Sequence, residues 1–334
     1  MKSVLLGRTG LRVSEICLGT GLFGQLGWGA DEASSRQVFD AYLDAGGNFL
    51  DCANTYAGGD SEALLGTFAE PRRDELVIAT KYTAVTREGD PNSWGNHRKS
   101  LRQAIEASLR RLKTDYIDLL WVHAWDELTP FEELMRALDD AVRAGHVLHV
   151  GASNTPAWAV AHANGIANAG QTPFCAIQNQ YSLLERSAEN ELLPMARHLG
   201  LTPMAWSPLA AGVLAGGYAA NASRPGLRHA NDPVEPAHVE AARRLHAIAR
   251  EAGLDPVALA YAWVCSRGVI PVVGARTTTH LDAALKAIAL DASSDVLEAL
   301  DAIAPPAPVM PQAFMRSADG IGFFERGVRE LVRQ

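Results

Sequence analysis

Residues 101–123 read LRQAIEASLRRLKTDYIDLLWVH. In the first half Leu101, Ile105, Leu109 and Leu112 recur at spacings of three and four, with Arg102, Arg110 and Arg111 between them. That period puts one apolar stripe on a helix and predicts that the stripe is buried. The second half changes character. From Asp118 to His123 the interior is apolar at successive positions, which predicts a strand covered on both faces. A helix feeding such a strand is the repeating unit of a parallel sheet.

The alternation continues in both directions. Strands are predicted at Ile16–Thr20, Phe49–Ala53, Leu76–Lys81, Asp118–His123, Val147–Ser153, Cys175–Gln180, Thr202–Ser207 and Ile270–Ala275. Phe131, Leu134, Met135, Leu138 and Val142 repeat the helical period after the fourth strand. Pro130, Pro156 and Pro256 stand at helix starts, where a missing N–H costs little. Gly145 and Gly200 follow helix ends as caps. Eight strand–helix units in succession predict an α/β fold, a (β/α)8 TIM barrel.

The competing fold is an open doubly wound sheet, marked by G-x-G-x-x-G after its first strand. Gly19 to Gly24, GTGLFG, fits by letter, but QLGWGA follows without a helical pattern. No acidic residue follows the second strand where a ribose would need it. The barrel is the better reading. Around it, Val4–Glu15 reads as a hairpin closing the floor. Residues 208–235 form a long Gly/Ala/Pro-rich loop after the seventh strand, followed by an extra helix near Pro236–Ala252. One domain spans 1–334, with its core at about 3–303 and a tail at 304–334. The tail either covers the catalytic rim through Phe314, Phe323 or Phe324, or lies along the barrel's side or against another subunit.

The chain has 334 residues, 48% hydrophobic, and a formal net charge of −8. That content supports a large core, and that charge argues against a nucleic-acid partner. Cys17, Cys52, Cys175 and Cys265 form no C-x-x-C pair and read as small buried hydrophobes of a reducing compartment. Gly7, Arg8 and Gly10 come too early for a signal-peptide apolar region. No run reaches the roughly 18 apolar residues of a membrane span. A cytoplasmic protein is expected, with a small-molecule partner and no membrane; its oligomeric state is open.

Reactive groups of such a barrel sit where strands end. FLDCANTY puts Asp51 at the tip of the second strand and Tyr56 just beyond; IATK ends the third on Lys81; LLWVH ends the fourth on His123. Alone, each has an ordinary reading: a packing tyrosine, a core histidine, a buried Lys–Asp pair. Together they make a proton donor. A phenol ordinarily has a pKa of about 10, and an ammonium beside it lowers that value. Asp51 would anchor Lys81, and His123 would orient a substrate carbonyl. A nucleophile is missing: no Ser-His-Asp, Cys-His, H-E-x-x-H or clustered metal set appears. Hydride from a cofactor fills that gap.

The stretches LGRTGLRVSEICLGT, FLDCANTY, IATK, SLRRLKTDYIDLLWVH, VGASN, QNQYS, AWSPLAAGVLAGGY and VVGARTTTHL, in this order, resemble the aldo-keto reductase family. The resemblance implies NADP(H), carbonyl reduction and the family's tetrad on Asp51, Tyr56, Lys81 and His123. It places Ser153, Asn154 and Gln178 on the nicotinamide carboxamide and Trp206 against the nicotinamide ring. It places Ser207, Pro208, Leu209 and Gly212 around the pyrophosphate, Arg276 on the 2′-phosphate, and Gly274, Thr277 and Thr278 among the other cofactor-binding residues. His280 and Ala284 depart from the Gln and Asn often found near the adenine.

Phe23, Trp28, Trp94 and Trp125 fall on loops at the catalytic rim and are candidate walls of the substrate pocket. Aromatic walls suit aryl or apolar carbonyls and also stack on sugars. A carbonyl reductase, working in either direction, is therefore expected. A keto-sugar reductase stands beside it, as does a non-catalytic NADP-binding regulator like the potassium-channel β subunits, which the chain also resembles. A hydrolase or metal-dependent lyase on the same barrel is the remaining reading.

Overall fold

The computed structural model describes residues 1–25, 27–216, 234–315 and 317–324. A hairpin, β1 (Ser3–Leu5) and β2 (Arg12–Ser14), precedes the barrel. Eight parallel strands follow: β3 (Cys17–Gly19), β4 (Phe49–Asp51), β5 (Val77–Tyr82), β6 (Ile117–Val122), β7 (Val147–Ser153), β8 (Phe174–Gln180), β9 (Thr202–Trp206) and β10 (Ile270–Gly274). They are neighbours in chain order, and β10 pairs with both β9 and β3, so the barrel is closed. Every predicted strand is present, with ends within two residues of those expected.

Helices cover the outside: α1 (Glu32–Asp44), α2 (Asp60–Ala69), α3 (Arg98–Leu112), α4 (Phe131–Arg143), α5 (Ala157–Ala167), α6 (Leu192–Leu199), α7 (Pro236–Glu251), α8 (Pro256–Ser266), α9 (Thr278–Ile288) and α10 (Ser294–Asp301). The apolar stripe of α3 is buried at Leu101, Ala104, Ile105 and Leu112, as its period requires. Pro130 and Pro156 precede α4 and α5, and Pro256 opens α8. Gly200 closes α6 in a left-handed conformation. The extra helix after the seventh barrel strand is α7. Residues 217–233 of the long loop before it lie outside the described part.

The barrel interior is filled by Phe49, Ala79, Leu119, Trp121, Ala176, Met204 and Val272. The hairpin closes the floor with Leu6 and Val13, both fully buried. Gly7 makes that closure possible. Its φ is +58°, and a Cβ there would lie 2.1 Å from the carbonyl oxygen of Cys175. Its N–H donates to Thr202 Oγ1 at 2.6 Å.

The tail carries two short helices, α11 (Gln312–Met315) and α12 (Ala318–Phe324). It runs beside the loop after β8: Asn190 Nδ2 donates to the Ala307 carbonyl at 3.4 Å, and Gln312 Nε2 to Glu191 Oε1 at 3.3 Å. Phe314 and Phe323 are exposed. The side chain of Phe324 and residues 325–334 lie outside the described part. Among the described residues no helix is long and apolar enough to cross a membrane. All four cysteines are free, three of them buried and Cys265 half-buried.

Candidate active site

Side chains alternate across a strand, so residues two apart share a face. The inward residues Phe49, Ala79, Trp121, Gly151, Ala176 and Met204 are each followed, two residues on, by Asp51, Lys81, His123, Ser153, Gln178 and Trp206. The ladder staggers neighbouring strands: Asp51 is level with Ala79 and Lys81 with Trp121, while Ser153 is level with Gln178. Along each of these strands an apolar inward residue or glycine is thus followed, toward the strand's end, by a polar side chain or by Trp206. Gly151 leaves room for Trp121, since a Cβ there would lie 2.4 Å from the indole Cζ3.

The four candidate catalytic residues meet at this end of the barrel. Lys81 is fully buried and ion-paired with Asp51. Its Nζ also donates to the Cys52 carbonyl at 2.9 Å and to Tyr56 Oη at 3.4 Å, and lies 5.1 Å from the Tyr56 ring centroid. The Tyr56 and His123 rings stand edge to face, 6.1 Å apart at 81°. Tyr56 opens a short turn in which Ala57, Gly58 and Gly59 all have positive φ. That turn aims the phenol back over the strands.

Electrostatics corrects one expectation. The Tyr56 phenol is not lowered but raised above its ordinary value, because burial penalises the phenolate more than the Lys81 ammonium favours it, and Asp51 adds to the rise. The phenol thus stays protonated through neutral pH. Burial works against charge on Lys81, yet Asp51, Tyr56 and Cys52 together outweigh it and the ammonium persists. Burial and then the Lys81 charge push His123 down to about 3, so its imidazole is neutral. Its Nδ1 is buried and has no hydrogen-bond partner among the described residues.

The residues expected at a nicotinamide are brought together beside His123. Gln178 Nε2 donates to Asp51 Oδ1 at 3.0 Å. Asn154 Nδ2 donates to the His123 carbonyl at 2.9 Å and to Ser153 Oγ at 3.1 Å, while Trp206 Nε1 donates to Asn154 Oδ1 at 2.9 Å. Ser207, Ala210, Ala211 and Gly212 have positive φ in the loop with Pro208 and Leu209. The loop is closed on itself: the N–H groups of Ala210, Gly212 and Val213 donate to the carbonyls of Ser207, Leu209 and Ala210. The Ser207 hydroxyl accepts from Ala211 N at 2.9 Å. Gly274 ends β10; Arg276 follows, Thr277 caps the eleven-residue α9, and Thr278 begins it. A helix N-terminus beside a guanidinium favours phosphate. This donor set fits a phosphate-bearing dinucleotide. Ala284, in place of a polar residue near an adenine, is fully buried in the core.

The candidate pocket aromatics separate. Phe23 is fully buried and tilted against Phe68 at 6.4 Å, so here it packs the wall under α1 and α2 and does not face a substrate. Trp28 is half-buried, and its carbonyl accepts from Arg276 Nη1 at 3.5 Å. Trp94 is exposed. Trp125 is half-buried and meets Trp158, a residue that sequence reading passes over as part of a helix. Gly21 was also missed: a Cβ there would lie 3.3 Å from Tyr56 Cε2, so the first strand's loop leans on the phenol ring. The letters GTGLFG reflect that close approach.

Comparison with known proteins agrees with the geometry. The Aldo/keto reductase family model matches residues 15–305. Norsolorinic acid reductase of Aspergillus flavus is 38% identical, over 93% of this chain and 83% of that protein. The oxidoreductase YrpG of Bacillus subtilis is 38% identical, over 94% and 99%. An aryl-alcohol dehydrogenase of Pestalotiopsis microspora is 37% identical, over 87% and 79%.

Proposed function

The chain belongs to the aldo/keto reductase family, an oxidoreductase family acting on small-molecule carbonyls, and on that premise we propose that it reduces aldehydes or ketones to alcohols with NADP(H), Tyr56 donating the proton. One observation carries this reading. The Tyr56 hydroxyl lies 3.4 Å from an ammonium that a buried carboxylate holds in place. NADP(H), when bound, supplies the hydride that the carbonyl carbon accepts. The residues of the chain do the rest. Neutral His123 orients the carbonyl by a hydrogen bond from Nε2, and Tyr56 Oη gives its proton to the oxygen as negative charge develops there. Lys81 stabilises the phenolate left behind, and Asp51 keeps Lys81 charged and placed. Ser153, Asn154, Gln178 and Trp206 hold the nicotinamide; Ser207, Pro208, Leu209 and Gly212 hold the pyrophosphate; Arg276 holds the 2′-phosphate, with Gly274, Thr277 and Thr278 among the other cofactor-binding residues.

Trp28, Trp94 and Trp125 favour aryl carbonyls, and one relative carries a name of that chemistry, aryl-alcohol dehydrogenase. The experiment is an NADPH-oxidation assay across aryl aldehydes, aliphatic aldehydes, diketones and keto-sugars. Aryl aldehydes should give the highest kcat/KM. Loss of NADPH with none of them would overturn the reading, as NADPH left unoxidised by all four classes is incompatible with a carbonyl reductase.

A further inference from the structure

Trp158 is the second residue of α5, at the end of the barrel where strands deliver their catalytic groups. It is 56% exposed. With the partly exposed Trp125 and Phe131 it forms a contiguous apolar patch at a catalytic rim, the kind of surface that marks a binding site. Its neighbours are aromatic. Trp125 stands edge to face with it at 5.2 Å and 89°, and Phe131 does so at 5.9 Å and 76°. His162, one turn further along α5, meets Phe131 at 5.0 Å. These contacts cover less than half of Trp158.

The row is continuous with the site. Trp125 lies two residues past His123, so their α-carbons are at most about 7 Å apart. The Trp125 amide also points at the Asn154 carbonyl, 3.5 Å away. Two indoles at right angles make a corner: a planar ring lying flat on one presents its edge to the other, and aromatic rings favour both arrangements. Leu128, 78% exposed on the same loop, extends the apolar margin.

We propose that Trp125 and Trp158 form an outer aryl subsite for planar, fused-ring carbonyl substrates, and that Trp158 sets the preference for them; this rests on the carbonyl-reductase reading above. The carbonyl lies between Tyr56 and His123, the first ring against Trp125, and further rings against Trp158. A single-ring substrate ends before Trp158.

The test compares NADPH-dependent reduction of benzaldehyde, naphthaldehyde and anthraldehyde by the wild type, Trp158→Ala and Trp158→Phe. The ratio of kcat/KM for anthraldehyde to that for benzaldehyde should fall about tenfold in Trp158→Ala, mainly through KM, the size expected for one lost ring–ring contact. Naphthaldehyde should fall between. Trp158→Phe, which keeps an aromatic face, should retain most of the wild-type ratio. An unchanged ratio in Trp158→Ala overturns the subsite while leaving carbonyl reduction intact. A wild type that reduces no aldehyde overturns both.

Discussion

Trp206 and Asn154 are joined by a hydrogen bond from the indole Nε1 to the side-chain oxygen, 2.9 Å long. The bond orients the amide. With its oxygen taken by the indole, Asn154 turns Nδ2 to the His123 carbonyl and the Ser153 hydroxyl. Asn154 also sits at φ +46°, a conformation that the network holds. A phenylalanine at 206 would have no N–H in this place.

Trp206→Phe keeps a ring face and removes that donor. NADPH affinity should fall about tenfold, equivalent to about 1.4 kcal/mol, the size of one lost hydrogen bond. Titration of bound NADPH fluorescence measures it. An unchanged Kd would show that the orientation of Asn154 does not matter to the cofactor.

In the proposed reading Arg276, which lies after β10 and before the capped N-terminus of α9, holds the 2′-phosphate. Arg276→Ala should weaken NADPH far more than NADH, which lacks that phosphate. Equal losses for the two cofactors in a binding titration would remove the assignment.

His123 titrates at about 3 in the fold and near 6.5 when unfolded. Between these values the unfolded chain binds a proton that the folded chain refuses. Stability therefore rises with pH across the window. The contribution is complete above about 6.5 and lost as pH falls toward 3, at up to about 1.4 kcal/mol per pH unit. Urea unfolding at several pH values between 4 and 7.5 should show a shallower pH dependence in His123→Gln than in the wild type. Parallel curves would contradict the shift.

Gly21 leans on Tyr56, with an added Cβ only 3.3 Å from the ring. Gly21→Val should displace the phenol and lower kcat about tenfold or more, with a smaller change in Tm. Wild-type kcat in a folded Gly21→Val protein would mean that the ring yields without consequence.

The barrel was legible because strands buried on both faces are apolar without interruption, and a polar residue at such a strand's end is conspicuous. Asp51, Lys81 and His123 stood out in this way. Phe23 did not sort correctly, since a loop sequence does not say which of its side chains turns inward. Trp158 was hidden for the converse reason: its exposure depends on how the starts of α4 and α5 meet. The direction of the Tyr56 shift is a balance of burial against one charge, and the sequence names the charge without the burial. Positive φ at Ala57, Thr83, Asn154, Ser207, Ala210 and Ala211, all on loops after barrel strands, has no local signature either.

The central claim is that Tyr56 donates the proton. Tyr56→Phe removes one oxygen from a ring held by Gly21, Lys81 and His123. General acid catalysis of this kind contributes about 10²–10⁴ in rate. The most direct measurement is kcat for reduction of an aryl aldehyde by Tyr56→Phe, alongside its NADPH Kd. The account predicts a loss of kcat of at least about a hundredfold, some 2.7 kcal/mol of barrier, with NADPH bound as tightly as in the wild type. Turnover within a few-fold of the wild type, with NADPH bound normally, would contradict it.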